Sequence, residues 1–533
     1  MRRSSAWGPL ARPVFRALWI AAVASNIGTL MHGVAAAWLM TSLTVSPVPV
    51  ALLTTMANLP LFLVGLPAGA LADVVDRRWL VLVTQVWMLA VAALLGGMAA
   101  ANWMSPWLLL ALTFLLSLGG ALSAPAWQAI VPQLVPRSEL AIAVALNGAG
   151  FNLARAIGPA IGGLLVAAAG PGAVFLLNAV SFLGVIAVIY RWRPAPRDRS
   201  ALTERVGSAV AAGIRFARHS PALRAVLVRT GIIIFAASVL WALLPVVATR
   251  KLGLDATGYG VLLASIGVGA VGGAAVLPRL RAKLSVDRLV AILTLVFAAG
   301  MLALAYVHNL ILLNLALMAV GMAWLTITSL LNVAAQTTAP TWVQARALGV
   351  YLLILQGALA GGSAIWGLVA ERFDERTALV AAAMVLMAGL SAALRWPLRT
   401  GEDLDLSPSQ HWPEPELALE PAADDGPVLV TVEYRIAAPQ QAAFCRAMLE
   451  VQLIRRRDGA TRWGLFRDAA EPERLLETFV VASWAEHMRQ HARVTVADRD
   501  VEQRALAFQQ PGVTPIVSHF IAARDGREMR HET

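Results

Sequence analysis

The sequence predicts an all-α polytopic membrane protein that ends in a small α+β domain, and three observations support this prediction. Of the 533 residues, 58% are hydrophobic and 14% are charged, whereas soluble chains carry about a quarter charged residues. Apolar runs of about 20 residues, the length that crosses a bilayer, recur as far as position 396. After position 427, apolar and polar residues alternate as they do in a half-buried strand.

The apolar runs predict twelve transmembrane helices in two six-helix halves. A polar segment separates the sixth run from the seventh, so we expect an N-terminal half at 1–191, a cytoplasmic central loop at 192–223 and a C-terminal half at 224–396. An offset of about 204 positions places Gly69 on Gly273, which indicates that the halves are repeats. The runs lie near 17–41, 49–72, 79–101, 105–127, 141–169, 172–191, 224–249, 256–278, 286–306, 309–334, 344–370 and 376–396.

The distribution of the net charge of +11 predicts an orientation in the membrane rather than binding to nucleic acid. The loops around Arg77, Arg137 and 279–288 are basic, whereas those near 46–49 and 102–106 carry no charge. Because basic loops stay on the cytoplasmic side, we expect a multi-pass protein of the cell inner (cytoplasmic) membrane with both termini in the cytoplasm.

Several kinds of chemistry find no support in the sequence. The single cysteine, Cys445, excludes an intramolecular disulfide and a cysteine-rich metal site. A Walker A loop and a G-x-S-x-G nucleophile motif are both missing, so we expect no enzyme and no cofactor. His487 and His491 have the i, i+4 spacing of metal ligands, but a third ligand is not evident and a solvated helix face is the favoured interpretation. We therefore predict no catalytic residues and no metal site.

A separate domain is predicted after the last apolar run. Residues 397–427 are rich in proline and acidic residues, which is typical of a linker. The alternation at 428–436 predicts a strand, and the following elements complete the order βαββαβ, which indicates a ferredoxin-like cytoplasmic domain at 428–525 with a tail at 526–533. The later elements are a helix at 439–456, strands near 461–468 and 474–482, a helix at 484–508 and a strand at 513–523.

The short connection between the second and third apolar runs contains a motif, GALADVVDRR, at residues 69–78. It resembles the loop 2–3 signature of the major facilitator superfamily of transporters, G-x-x-x-D-(R/K)-x-G-(R/K)-(R/K). Val74 and Asp76 depart from the signature, where a basic residue and a glycine are usual. Since an acid near a helix end can pair with arginines across a bundle, we interpret the segment as a gating motif. The matching residues are Gly69, Asp73, Arg77 and Arg78.

The predicted fifth span carries a second motif. Residues 158–163 read GPAIGG, which resembles the G-P-x-x-G-G signature associated with exporters of the superfamily. Glycine permits close contact between helices and proline bends a helix, so a domain interface is the favoured interpretation over ordinary small-residue packing. The residues that match are Gly158, Pro159, Gly162 and Gly163.

Polar residues within the spans predict a substrate cavity. A cation in mid-membrane is costly, so Arg155 is expected to face a substrate anion, a backbone carbonyl or water, with a structural role as the alternative. His32 is a candidate for proton coupling, although a hydrogen-bonded packing histidine is equally compatible with its position. The predicted cavity residues are Asn26, His32, Trp38, Gln128, Asn152, Arg155, Gln336 and Gln356.

Residues 1–400 as a whole resemble the enterobactin-exporter-like branch of the superfamily, also called transmembrane secretion effectors. The segments that carry the resemblance are TSLTVSPVPVALLTTMANLPLFLVGLPAGALADVVDRR, PAWQAIVPQLVPRSELAIAVALN and NLARAIGPAIGG. The resemblance implies a secondary active exporter, driven by proton antiport, that moves a siderophore, a drug or another small amphipathic molecule across the lipid bilayer by alternating access.

Two other functions stay open. An importer of the same fold fits the predicted topology, although it does not account for the glycine–proline signature. The C-terminal domain resembles the antibiotic-biosynthesis monooxygenase group, whose domains usually pair, which implies self-association. A membrane-anchored oxygenase that works through this domain is therefore the second alternative.

Overall fold

Long apolar helices and one small sheet form two structural units in this protein. The first unit comprises Met1–Thr203, Leu227–Asn332 and Tyr351–Pro397, and the second comprises Glu204–Val226, Val333–Val350 and Leu398–Thr533. The structure is a computed structural model, and it describes residues 7–193, 206–398, 405–409, 411–412, 415, 417 and 421–523. Outside this description also lie the side chains of Leu66, Ala70, Asp73, Val74 and residues 206–211.

Thirteen helices precede the C-terminal domain in the described part of the chain. A π-helical turn, Val247–Lys251, extends the seventh of them. The helices are α1 Pro13–Leu43, α2 Pro47–Val74, α3 Arg77–Ala100, α4 Pro106–Leu134, α5 Leu140–Arg191, α6 Val206–His219, α7 Pro221–Val246, α8 Ala256–Arg281, α9 Val286–Tyr306, α10 Leu310–Thr337, α11 Gln344–Arg372, α12 Glu375–Ala388 and α13 Ala392–Arg395.

Proline and short polar side chains mark where several helices begin. The helices α1, α2 and α4 each start with a proline, whose missing N–H would lack a helical partner there in any case. Ser46 and Ser105 cap α2 and α4 through their hydroxyl groups. The carboxylate of Asp76 caps α3 by accepting hydrogen bonds from the backbone N–H groups of Arg78 and Trp79. The departure of Asp76 from the signature glycine therefore supplies a helix cap.

The number of spans differs from the expectation at one helix. Eleven described helices are long and apolar enough to cross a membrane. One of them, α5, has 52 residues and covers the fifth and sixth predicted runs. Its backbone leaves the helical region at Gly170, where φ is 78° and ψ is 167°. A straight helix of that length would extend about 78 Å against a hydrocarbon core of about 30 Å. The count of twelve stays a prediction.

The C-terminal domain, within the second unit, is built on a four-stranded antiparallel sheet with the order β2-β3-β1-β4. Val428, Val430, Val432 and Tyr434 face the helices and are buried, as the alternation predicts. Phe444 packs against them. The elements are β1 Val428–Arg435, α14 Gln441–Asp458, β2 Arg462–Arg467, β3 Arg474–Val481, α15 Trp484–Arg493, α16 Val496–Leu506 and β4 Ile516–Ile521.

One expectation for this domain was wrong in detail. The helix predicted at 484–508 is two helices, because Val494 has an extended backbone and Thr495 forms a capping box with Asp498 at the start of α16. Part of the segment expected to be a linker lies against α15 and α16, where the backbone N–H of Ser409 donates to the carbonyl of Val494. The central segment 192–223 contains α6, while its residues 194–205 lie outside the described residues.

Candidate functional site

A cavity of about 740 Å³ lies within the first unit. Helices from both predicted halves line it, including α1, α2, α4 and α5 from the first and α7, α8, α10 and α11 from the second. Its volume falls within the range of about 300–1,000 Å³ that is usual for small-molecule sites. The wall combines aromatic rings with scattered hydroxyl and amide groups, such as Trp127, Trp241, Trp324, Thr29 and Asn58.

Half of the predicted cavity residues line this space. Asn26, His32, Gln128 and Arg155 belong to the wall. Trp38, Asn152, Gln336 and Gln356 are not among the lining residues. The amide of Gln356 instead donates to Oδ1 of Asn58 at 3.1 Å, and the carbonyl oxygen of Gln336 accepts from the side-chain amide of Gln344 at 3.2 Å.

Sequence reasoning missed several residues of the wall. Asn58 and Gln85 are polar residues within apolar runs, and that signal could have identified them. The sequence did not indicate the three tryptophans of the wall, because ordinary packing between helices explains an aromatic residue in a membrane helix equally well. They are Trp127, Trp241 and Trp324.

Arg155 carries a charge at a position where α5 lacks one backbone hydrogen bond. Its guanidinium carbon lies 5.1 Å from the centre of the Phe151 ring on the same helix. Its carbonyl oxygen lacks the usual donor four residues later, because that residue is Pro159. The same carbonyl faces α8, where a Cβ added to Gly267 would lie only 2.7 Å from it. The cavity cation therefore lies beside the point where α5 meets α8.

The glycine–proline motif lies at close helix contacts. A Cβ added to Gly163 would lie 2.6 Å from the carbonyl oxygen of Ala256 on α8. A Cβ added to Gly260 would lie 2.8 Å from the carbonyl oxygen of Pro159. On the other side of α5, Gly158 and Gly162 face α1, and a Cβ added to Gly162 would lie 2.9 Å from the Cα of Met31. Side chains at these positions would separate the helices.

A second contact, between α2 and α11, also joins the two predicted halves. The hydroxyl of Thr55 donates to the carbonyl oxygen of Ala360 at 2.8 Å. A Cβ added to Gly367 would lie 2.5 Å from the Cβ of Ala51. This contact includes side-chain hydrogen bonds such as that between Gln356 and Asn58.

The arginines of the predicted gating motif bind the carboxyl ends of helices. Nε of Arg77 donates to the carbonyl oxygen of Ala72 near the end of α2. The guanidinium of Arg78 donates to the carbonyl oxygens of Ile189 and Tyr190 at 3.1 and 2.6 Å, near the end of α5. These contacts complement the negative end of each helix dipole. The side chain of Asp73 lies outside the described residues, and a Cβ added to Gly69 would meet no atom within 4 Å.

The histidines of the C-terminal domain are more buried than expected. His487 is 1% exposed, so the interpretation of a solvated helix face was wrong for it. Burial, with smaller effects of His491 and His519, lowers the pKa of His487 to about 3. Its Nε2 lies 3.4 Å from Nε2 of His491. Among the described residues, no group of three His, Cys, Asp or Glu side chains is placed to hold a metal ion.

A buried ionic network links the sheet of this domain to its helices. Arg455 donates to Glu477 at 3.1 Å and to Glu502 at 2.6 Å. Burial alone would raise the pKa of Glu502, but Arg455 and hydrogen bonds from His411 and Trp412 lower it to about 2. Every charge in this cluster has a partner, which is the condition for stable burial of ions.

In the second unit, the C-terminal domain also contacts α6 and the connection between α10 and α11. Nη2 of Arg215 on α6 donates to Oε1 of Glu486 at 3.2 Å. The same carboxylate oxygen accepts from Arg493 at 2.8 Å. The guanidinium carbon of Arg493 lies 4.4 Å from the centre of the Trp342 ring, which meets the Phe216 ring edge-on at 6.0 Å. The C-terminal domain therefore has a polar and aromatic contact with two connecting segments.

Comparison with known proteins gives transporters throughout. The chain is 29% identical over 384 residues to the multidrug efflux pump Tap of Mycolicibacterium fortuitum, a match that covers 68% of this chain and 88% of Tap. It is 24% identical over 175 residues to macrolide efflux protein A of Streptococcus pyogenes, covering 33% of this chain and 42% of that protein.

Solved structures of transporters share the fold. A mutant of the nucleoside transporter NupG superimposes with a TM-score of 0.61 at 11% identity, over 72% of this chain and all 100% of that one. A bacterial homologue of the human lysosomal transporter Spinster, inward-facing and occupied, gives 0.57 at 17% identity, over 73% of this chain and 98% of that one. At these identities the likeness describes the fold alone.

The family model described as transmembrane secretion effector matches residues 4–526, which include the C-terminal sheet. The match therefore covers nearly the whole chain rather than a single motif. Together with a helical fold that has eleven described candidate spans, it shows a polytopic membrane protein of the transporter type. This chain belongs to the transmembrane secretion effector family of the major facilitator superfamily.

Proposed function

We propose that this protein is a secondary active exporter of a small amphipathic molecule. The proposal rests on the cavity of about 740 Å³. Residues from both predicted halves line this cavity, and it lies beside the α5–α8 and α2–α11 contacts. A site enclosed between two repeats is the arrangement that alternating access requires. The drug efflux proteins among its relatives favour export over import. A drug, a siderophore or another secondary metabolite is the proposed cargo.

The proposal includes a specific placement in the membrane. Twelve spans follow if α5 is counted as two helices that meet at Gly170. The excess of arginine in alternate loops then favours both termini in the cytoplasm, and the bacterial relatives favour the inner membrane.

Proton antiport is the proposed energy source. Both ring nitrogens of His32 line the cavity region without a hydrogen-bond partner among the described residues, and His32 packs at 4.6 Å from the Phe175 ring. An imidazole in this position has a site to bind and release a proton during the cycle. The proposed role of Asp73, Arg77 and Arg78 is to stabilise one conformation at the opposite end of α2 from Ser46.

The C-terminal domain is proposed to be ferredoxin-like, to self-associate and to modulate export. Its strand order and its element order agree with that fold. Phe466, Ile516 and Phe520 on the sheet are more than half exposed, and a second copy of the same sheet would cover them. The contact of this domain with α6 and residues 333–350 supports a regulatory role.

Transport by inverted membrane vesicles tests the proposal. We expect labelled amphipathic compounds to accumulate inside inverted vesicles when an inside-acid pH gradient is imposed, and to do so far less after the gradient is dissipated. Accumulation only in right-side-out vesicles would instead identify an importer. A chain shortened after residue 398 is expected to keep directional transport, whereas a membrane-anchored oxygenase would lose its whole activity.

A further inference from the structure

The charges on the cavity wall are unbalanced. Arg155 is the one residue with a permanent charge among the described residues that line the cavity, and no aspartate or glutamate accompanies it there. It forms no ion pair with a described residue, and its closest charge-stabilising contact is the face of Phe151. A guanidinium removed from water without a counter-ion costs several kcal/mol, so an anion that enters the cavity gains a strong interaction.

Two other cations of the first unit, Arg229 and Lys251, show the contrast. Arg229 is 2% exposed and forms an ion pair with Asp287. The ammonium group of Lys251 donates to the carbonyl oxygens of Leu304 and Ala305 at 3.0 and 2.5 Å. The protein therefore satisfies these cations internally and leaves the guanidinium of Arg155 to the cavity.

The other residues of the cavity wall indicate which uncharged groups the ligand carries. Trp127, Trp241 and Trp324 offer flat apolar surfaces, and the amides of Asn26 and Gln128 offer hydrogen bonds to neutral polar groups. His32 is 5% exposed, and both of its ring nitrogens are unpartnered among the described residues. A planar guanidinium fork can pair with the two oxygens of a carboxylate through two parallel N–H···O bonds.

We propose that the substrate class is an amphipathic organic anion whose carboxylate pairs with Arg155 while its aromatic or aliphatic body packs on the cavity tryptophans. The same charge disfavours the binding of organic cations. The ligand would bind near Pro159 and near the contact between the backbone carbonyl of Arg155 and Gly267 on α8. This inference rests on the proposed function, since it takes the cavity to be the transport site.

Three probes with one ring system and different head groups test the charge preference. They are 2-naphthoate, 2-naphthamide and 2-naphthylmethylammonium, and their binding to the purified full-length protein in detergent is measured by isothermal titration calorimetry. We expect the anion to bind about tenfold or more tightly than the amide, and the cation to bind most weakly. Equal affinities, or a preference for the cation, would overturn the inference.

Variants identify the residue responsible. Arg155→Gln is expected to remove the preference for the anion, and Arg155→Lys to retain part of it, since the charge stays but the fork is lost. Arg137→Gln, at an exposed loop position, is the control and leaves the preference unchanged. An unchanged preference in Arg155→Gln contradicts the inference; if that variant does not fold, the probe series on the unaltered protein decides. Binding is measured without transport, so the two proposals can fail separately. A preference for the anion without uptake by vesicles would contradict the proposed exporter, whereas uptake of cations alone would contradict the proposed anionic substrate.

Discussion

Gly163 and Gly260 bring α5 and α8 into backbone contact, because a Cβ added to Gly260 would lie 3.1 Å from the Cα of Gly163. The contact lies between a helix of the first predicted half and a helix of the second. Helices whose backbones meet can slide or separate without rearranging long side chains. This is a suitable property for an interface that opens in each transport cycle.

Gly163→Ala is expected to impair transport. The new methyl group would meet the carbonyl oxygen of Ala256 at 2.6 Å, and overpacking of this kind costs about 1–3 kcal/mol. The matched control is Gly148→Ala on the same helix, since a Cβ at Gly148 meets nothing within 4 Å. Transport rates in vesicles and thermal unfolding in detergent measure the effect. Equal rates in the two variants would show that the close contact has no role in export.

Asp73→Asn and Asp76→Asn should differ in their effects. If Asp73 pairs with arginines in one conformation, its neutral variant shifts the conformational equilibrium by about 1–3 kcal/mol and slows transport. Asparagine is as good an N-cap as aspartate, so Asp76→Asn should preserve both folding and transport. Turnover and expression level in the membrane distinguish the two. Normal turnover in Asp73→Asn would reduce the motif to a marker of topology.

Single cysteines test the orientation of the chain. In a background with Cys445→Ser, Ser46→Cys should react with a membrane-impermeant maleimide from outside the cell. Ser200→Cys should react only in inverted vesicles, because arginine-rich loops remain in the cytoplasm. Labelling of both positions from the same side of the membrane would contradict the proposed topology.

The C-terminal domain should lose stability in mild acid. The pKa of His487 is about 3 in the folded domain and near its ordinary value of 6.5 once unfolded, because burial disfavours the imidazolium. The unfolded chain therefore binds a proton more readily, and stability falls as the pH decreases from 6.5 towards 3. Protection factors of the β1 and β3 amides in the full chain, obtained from hydrogen exchange at pH 7.5 and at about pH 5.5 and corrected for the intrinsic exchange rate at each pH, measure this loss.

The matched comparison for that experiment is His487→Asn, which removes the titrating group. Its protection factors, which correct the observed exchange for the intrinsic rate at each pH, should decrease less between the two pH values than those of the unaltered protein. His308→Asn, outside the C-terminal domain, should leave the pH dependence of the β1 and β3 protection factors unchanged. An equal decrease in His487→Asn would mean that other groups cause the acid sensitivity.

The sequence was most informative where a residue type had one physical use. Alternation at 428–436 predicted the buried face of β1, and the GPAIGG segment predicted close helix contacts, because glycine lets two helix backbones approach each other. The sequence was less informative where a few residues at a helix end determine the structure. Thr495 and Asp498 end one helix and cap the next, a T-x-x-D signal that the apolar spacing of 484–508 obscured.

The cavity shows the same limit. Arg155 and His32 were predictable, since a polar or charged residue in an apolar run needs a reason. Trp241 and Trp324 were not, because their role depends on which side of a helix faces its neighbours. The pairing of Asp73 with arginines at helix ends stays a prediction, while the contacts of Arg77 and Arg78 with carbonyl groups at helix ends were not predicted. Such contacts depend on where distant helices end.

A reversible cross-link between α2 and α11 tests the central claim, that export requires the two halves to separate around the cavity. A Cβ at Gly367 would lie 2.5 Å from that of Ala51, so Ala51→Cys with Gly367→Cys should form a disulfide once α2 and α11 move apart by about 1 Å, to the Cβ–Cβ distance of about 3.5–4.5 Å that a disulfide requires. In a Cys445→Ser background, we expect oxidation to stop vesicle transport and dithiothreitol to restore it. The pair Ala51→Cys with Gly361→Cys, where a Cβ meets nothing within 4 Å, is the control and should transport under both conditions. Undiminished transport by fully cross-linked protein would contradict the account.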